Sequence, residues 1–432
     1  MKLELIATAT FGLEAVVKRE LENLGYKILK SEDGKITFLG DERAVVRANL
    51  WLRSADRVQI KMAEFTVLEF EDLFQQMKAI PWEEWIPIDG KFVVNGSSVK
   101  SKLSSVPACQ SVAEKAVVER LKEFYMVDYF TKTGAAYDIK ITILKDRVTV
   151  TLDTTGPGLH KRGYRTHSVE APIKETLAAA MIQLSFWNKD RILSDPCCGS
   201  GTIPIEAALI AKNIAPGISR SFASEEWEAI PANLWKEERK AAFEAIDNEC
   251  KPKIFGLDIN PKAIAAAKAN AEEAGVDDCI KFAAADISAM RTKSLSGVMV
   301  TNPPYGERIG DRRGIEKIYE AYRRFFGENP TWSLFVVTAD KSIEKALGRS
   351  ADRRECSRKK TNRRRKSASP TRAAPPARPR TISGQRPRTR GRSPRTWSPY
   401  QIPWKRRTHS ASTIRFRTQH RQPRPASASS RS

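Results

Sequence analysis

The chain has 432 residues, 74 Lys plus Arg and 51 Asp plus Glu, for a formal net charge of +23. From Cys356 onward it carries 23 basic residues and no Asp or Glu, so residues 1–355 balance at 51 against 51. Overall basicity is therefore no evidence for a nucleic-acid-binding fold, and such evidence must come from residues 1–355. No apolar run approaches the ~18 residues that span a bilayer. Met1-Lys2-Leu3-Glu4-Leu5-Ile6 lacks the apolar core of a signal peptide. The six cysteines show no C-x-x-C spacing, which speaks against a zinc site and a disulfide framework and fits a cytoplasmic protein with reduced thiols.

Residues 1–56 read as a small α/β unit. Leu13, Val16, Val17, Leu21 and Leu24 share one face of a helix over 11–24, with Gly25 as its stop. Lys35–Leu39 is a short strand and Ala44–Ser54 a second helix. In residues 57–155, Val58–Met62 alternates with period two, and Phe70–Ile80 and Ser111–Phe124 carry helical spacing. Ile139, Ile141 and Ile143 alternate, Lys145-Asp146 turns, and Val148, Val150 and Leu152 alternate back, which predicts a hairpin and an α+β layer. Gly156-Pro157-Gly158 breaks the pattern, and residues 156–170 form a linker containing His160-Lys161-Arg162-Gly163-Tyr164-Arg165.

Residues 171–350 change style. Five short apolar strands, Ile192–Ser194, Ile254–Leu257, Ile280–Ala284, Val298–Val300 and Leu334–Val337, alternate with helices and predict a parallel sheet covered on both faces. A Trp-bearing insertion, 214–236, separates the first two. Residues 351–432 contain too little apolar surface to offset chain entropy and read as a disordered Arg/Ser/Pro-rich tail.

Four sheet-end motifs carry chemistry. Asp195-Pro196-Cys197-Cys198-Gly199-Ser200-Gly201-Thr202 follows a strand and opens a helix. Its glycines permit a tight turn and close approach of a ligand, and its acid suits a cationic ligand better than a pyrophosphate. Asp258, in Gly256-Leu257-Asp258-Ile259-Asn260, ends the second strand, where a carboxylate can accept ribose hydroxyls. Asn260 is the better cap for the helix that follows. Asp286 ends the third strand and could accept an adenine amino group. Asn302-Pro303-Pro304-Tyr305-Gly306 follows the fourth. Its stiff backbone presents the Asn302 amide oxygen and the Pro303 carbonyl to an exocyclic NH2, and Tyr305 offers a stacking face for a base lifted from its helix. No triad partner attends His160 or His167. No basic partner lies near Cys197 or Cys198, which read as buried small residues. Lys161, Arg162 and Arg165 fit either RNA phosphate or a linker packed on both domains.

With these motifs, Gly12-Leu13-Glu14, Leu159–Arg165, Ala171–Ala178 and Asn302–Arg308, the sequence resembles the THUMP-containing class I S-adenosylmethionine-dependent RNA methyltransferases over about residues 1–349, in particular those like the 23S rRNA guanine-N2 enzyme. Members have also been labelled N6-adenine DNA methylases. The resemblance implies a Rossmann-like methyltransferase domain (171–350) preceded by a ferredoxin-like unit (1–56) and a THUMP domain (57–155) that docks structured RNA, expected to be rRNA. It implies cofactor contacts from Asp195, Gly199, Gly201, Thr202, Asp258 and Asp286, with Lys174, Glu175 and Thr176 near the methionine end and Asn302, Pro303 and Tyr305 at the target base. No metal is required. The alternatives are an adenine N6 methyltransferase acting on DNA and a catalytically dead RNA-binding protein. The latter gains weight because relatives continue past the fifth strand with an antiparallel pair, for which residues 351–432 offer no candidate. That tail reads either as an RNA-attracting extension or as sequence out of frame from near residue 350.

Overall fold

The computed structural model describes residues 1–167, 172–304, 312–340, 342–356 and 412–417. All of them belong to one compact unit, Met1–Arg358 with Ser410–Ser432. Among them no helix is long and apolar enough to cross a membrane.

The first half runs β1 (Leu3–Ala9), α1 (Glu14–Asn23), β2 (Lys27–Glu32), β3 (Lys35–Gly40), α2 (Glu42–Trp51), β4 (Ala55–Thr66), α3 (Phe70–Lys78), β5 (Lys91–Val99), α4 (Val106–Tyr125), β6 (Ala136–Leu144) and β7 (Arg147–Asp153). The seven strands form one sheet, ordered β2-β3-β1-β4-β7-β6-β5. Only β5 and β6 pair in parallel. The expected hairpin is β6–β7, turning on Lys145 and Asp146 with φ of 54° and 66°, two successive left-handed residues as a tight hairpin requires. Strand β4 pairs with β1 on one side and β7 on the other, so the ferredoxin-like and THUMP units share a sheet. The expected boundary at 56/57 thus falls inside a strand.

The second half contains α5 (Glu175–Leu184), β8 (Ile192–Asp195), α6 (Thr202–Ala211), α7 (Ala232–Glu244), β9 (Ile254–Asp258), α8 (Pro261–Glu273), β10 (Ile280–Ala284), β11 (Gly297–Thr301), α9 (Arg312–Glu328), β12 (Ser333–Thr338), α10 (Ile343–Leu347), β13 (Arg353–Cys356) and β14 (Ser412–Arg417). Their sheet is ordered β10-β9-β8-β11-β12-β14-β13. The first five pair in parallel, as the apolar strand pattern predicts.

The expectation of a sheet lacking its last two strands is corrected here. Strand β14 lies between β12 and β13 and runs antiparallel to both. Composition averaged over 351–432 hides the short alternation Thr413-Ile414-Arg415-Phe416, which suffices for a strand once two neighbours supply its ladder. The rest of the tail, 357–411 and 418–432, lies outside the described residues.

The Trp-bearing insertion is a strap. Phe222, Trp227, Ile230 and Trp235 belong to the core of the first half. Trp227 stacks on Tyr137 at 4.8 Å and donates to the Ala136 carbonyl at 3.0 Å. Gly217 donates its N–H to the Leu50 carbonyl at 2.9 Å. A Cβ there would stand 2.8 Å from the Asn49 carbonyl, so only glycine permits the approach.

Candidate active site

The carboxyl ends of β8, β9, β10 and β11 converge on one rim. From β8 the chain proceeds to β9 and β10 on one side and later to β11 and β12 on the other, so the rim holds a topological switch point. Open α/β sheets bind ligands at such a point.

The turn after β8 is braced by the neighbouring strand. Cys198 N–H donates to the Leu257 carbonyl at 2.8 Å, and Gly199 N–H donates to Asp258 Oδ2 at 2.9 Å. Asp258 Oδ1 accepts from Asn260 N–H at 2.9 Å, while Asn260 caps α8 through Lys262 N–H at 3.0 Å. Gly201 has φ +83°, and a Cβ on it would meet Ala267 Cβ at 3.0 Å and Phe282 Cζ at 3.1 Å. Both strain and crowding hold that position to glycine. Asp195 is buried and accepts Cys197 N–H at 3.2 Å. Burial pushes its carboxyl up to about 7. Its charged form is therefore costly, and its visible role is to shape the turn. Asp286 is exposed and accepts Ser288 N–H at 2.7 Å, which holds its carboxyl below the usual range.

On the other side of the switch point, β11 registers Met299 opposite Ser194. Continuing that register puts Asn302 two residues beyond the level of Asp195. Asn302 Oδ1 is buried and has no partner among the described residues. A buried acceptor left without a donor is costly, and an incoming amine would satisfy it. Pro303 is buried just past the end of the ladder. Tyr305 lies outside the described residues.

Lys174, Glu175 and Thr176 open α5 beside the first half of the chain. Lys174 Nζ is 3.8 Å from Asp56 Oδ1, to which Thr176 Oγ1 also donates at 3.5 Å. Glu175 is buried 3.2 Å from Arg165; its Oε2 has no partner among the described residues, and burial raises its carboxyl. Of the basic linker, Lys161 is exposed, but Arg162 and Arg165 are consumed by packing. Arg162 donates to the carbonyls of Leu159, at 2.6 Å, and Arg53, and stands 3.4 Å from Glu206. Arg165 donates to Thr202 Oγ1 at 2.8 Å and to the Ile173 carbonyl at 2.9 Å. For both, the packing reading replaces the phosphate reading. Glu206 went unremarked in the sequence, although a lone acid within Ile203-Pro204-Ile205-Glu206-Ala207-Ala208-Leu209 is a signal of a buried ion pair. Burial pushes the half-buried Cys197 thiol up to about 12, which disfavours a thiolate nucleophile there.

The residues present fit a nucleoside cofactor. A glycine turn too tight for a side chain and the buried oxygens Ser200 Oγ and Glu175 Oε2, which have no partner among the described residues, lie in the segments that the sequence nominated for it, and Asn302 Oδ1 lies in the segment nominated for the target base. Among the described residues no cluster of His, Cys, Asp and Glu could hold a metal ion.

Comparisons with known proteins agree with this architecture. Residues 4–59 match the RlmL ferredoxin-like domain, 68–153 the THUMP domain and 162–366 the RMKL-like methyltransferase domain. YpsC of Bacillus subtilis (strain 168), assigned as an RNA methyltransferase, is 48% identical over 355 residues, covering 82% of this chain and 92% of YpsC. The ribosomal RNA large subunit methyltransferase K/L of Psychromonas ingrahamii is 34% identical over 78% of this chain, which spans 46% of that protein's length. A Listeria monocytogenes protein assigned as an N6-adenine-specific DNA methylase superposes with TM-score 0.79 at 46% identity, over 82% of this chain and 93% of its own. SMU.472, assigned as a methyltransferase and solved with SAH, superposes with TM-score 0.80 at 35% identity, over 98% of this chain and 99% of its own.

Proposed function

Because the chain belongs to the RMKL-like, THUMP-containing methyltransferase family, we propose that it is a cytoplasmic enzyme that transfers a methyl group from S-adenosylmethionine to guanine N2 of large-subunit ribosomal RNA. The buried Oδ1 of Asn302 at the switch point, without a partner among the described residues, carries this reading. Glu175, Thr202 and the Gly199–Gly201 turn braced by Asp258 would hold the cofactor. When bound, it supplies a methyl group already activated by its sulfonium charge, so no metal and no strong base are needed.

The chain's own task is alignment and exclusion of water. Asn302 Oδ1 and the Pro303 carbonyl accept hydrogen bonds from the exocyclic NH2 and turn the nitrogen lone pair toward the methyl. That nitrogen gains positive charge as the bond forms, and two fixed acceptor dipoles favour the charge more than they favour the neutral amine. The amine proton then leaves to solvent. The THUMP match supports an RNA substrate, and the K/L relative supports large-subunit rRNA. Adenine N6 methylation of DNA uses the same acceptor logic, and the Listeria relative's assignment favours it.

Labelled S-adenosylmethionine offered in parallel with rRNA, tRNA and DNA tests the proposal. Label on guanine N2 of rRNA is expected, with Asn302→Ala losing most turnover and keeping near-normal cofactor binding. Label on DNA adenine, or undiminished rRNA methylation by that variant, would overturn it.

A further inference from the structure

We infer that Arg165 is a positioning residue for the cofactor: it ties the first residue of α5 to the first residue of α6, the two helix starts that flank the glycine turn. One guanidinium nitrogen, Nη2, reaches Thr202 Oγ1 at 2.8 Å, the Ile173 carbonyl at 2.9 Å and Glu175 Oε1 at 3.2 Å. Thr202 follows Gly201 directly, and the second carboxylate oxygen of Glu175 has no partner among the described residues. Both side chains of the ion pair are largely shielded, at 17% and 5% exposure, so water competes weakly for the contact. The guanidinium belongs to the linker and contacts the first residue of each helix. Deleting it frees the two helix starts to separate, and it leaves Glu175 buried without its ion-pair partner.

The inference rests on the reading of this rim as an S-adenosylmethionine site. The deciding measurements are the Kd for S-adenosylmethionine by calorimetry and the separate KM values for cofactor and rRNA, on the full chain. The variants are Arg165→Ala, Arg165→Lys and Thr202→Val. Arg165→Ala is expected to weaken cofactor binding at least about tenfold, the size of one lost charge-assisted hydrogen bond, and to raise the cofactor KM in step. The rRNA KM and kcat should stay close to the wild-type values. Arg165→Lys keeps the charge but loses the planar fork, so it should recover part of the affinity. Thr202→Val removes the α6 end of the tie together with the contact of its own hydroxyl to the cofactor, and should weaken binding in the same direction. Should Arg165→Ala fail to fold, the other two variants decide. Unchanged cofactor affinity in Arg165→Lys and Thr202→Val would overturn the inference, as would a loss confined to the rRNA KM, which would make Arg165 an RNA contact. A wild-type chain that does not bind S-adenosylmethionine would instead defeat the reading of the site itself.

Discussion

Arg162 Nε stands 3.4 Å from Glu206 Oε1, with both side chains almost wholly buried. Arg162 also donates to the Arg53 carbonyl of the first half, and Tyr164 OH donates to the same Glu206 oxygen at 3.0 Å. Glu206 sits in α6, the helix that opens on the glycine turn, so this cluster joins the THUMP-bearing half to the switch-point rim of the second sheet. A buried pair adds little net stability, but removing one partner strands the other. Arg162→Met should therefore cost ~3–5 kcal/mol. Arg162→Met with Glu206→Leu should cost clearly less than the two single changes together, because neither member of the pair is left buried without the other. Denaturant midpoints of the four chains give the coupling, and additive costs would show that the two residues do not act as a pair.

The strap predicts a loss of another kind. Trp227 is buried against Tyr137, and truncating such a side chain leaves a cavity. Trp227→Ala should lower stability by ~3–5 kcal/mol and speed proteolysis within 214–236. Trp227→Phe keeps much of the stacking, loses the bond to the Ala136 carbonyl at ~1 kcal/mol and leaves a smaller cavity, so it should cost less than Trp227→Ala. If the two substitutions cost the same in a denaturation series, the stacking contributes nothing.

The sequence was most legible where an apolar pattern meets a turn signal. All five parallel strands lie within a residue or so of their expected bounds, and Asp195, Asp258, Asp286 and Asn302 all stand on one rim. Strand β1 escaped notice because Leu3, Leu5, Ile6, Ala7 and Ala9 are all buried, which erases alternation. Strand β2 escaped for the opposite reason: as an edge strand it buries no residue fully, so it has no apolar signature. The fate of Arg162 was illegible because its partner lies 44 residues away and charge alone does not announce burial. The Gly199–Asp258 bond, across 59 residues, is likewise a product of strand order that no local spacing contains.

Strand β14 can be tested through its backbone. Ile414 pairs with Val336 on one side and Arg354 on the other, so the strand has no free edge. Proline removes an N–H and is tolerated only on edges, so Ile414→Pro should cost ~3 kcal/mol or more. The amides of β12, 333–338, should then exchange faster with solvent, and the uncovered edge should promote aggregation. Unchanged exchange across 333–338 would show that β14 does not cover β12.

Asp195 sets a pH dependence whose sign follows from burial. Its carboxyl is about 7 in the folded chain against an ordinary 3.8, so the folded state holds its proton where the unfolded state has released it. Its contribution to stability is fully present below about pH 3.8 and is lost as the pH rises through about 7. Asp195→Asn cannot titrate and serves as the reference. The melting temperature of the wild type minus that of Asp195→Asn should therefore fall from pH 4 to pH 7 and level off above. Melts at fixed ionic strength measure the slope. A difference that rises over this range would mean that the N–H of Cys197 and the neighbouring hydroxyl of Thr301 outweigh desolvation, and that a full negative charge stands at the rim where a cationic cofactor would bind.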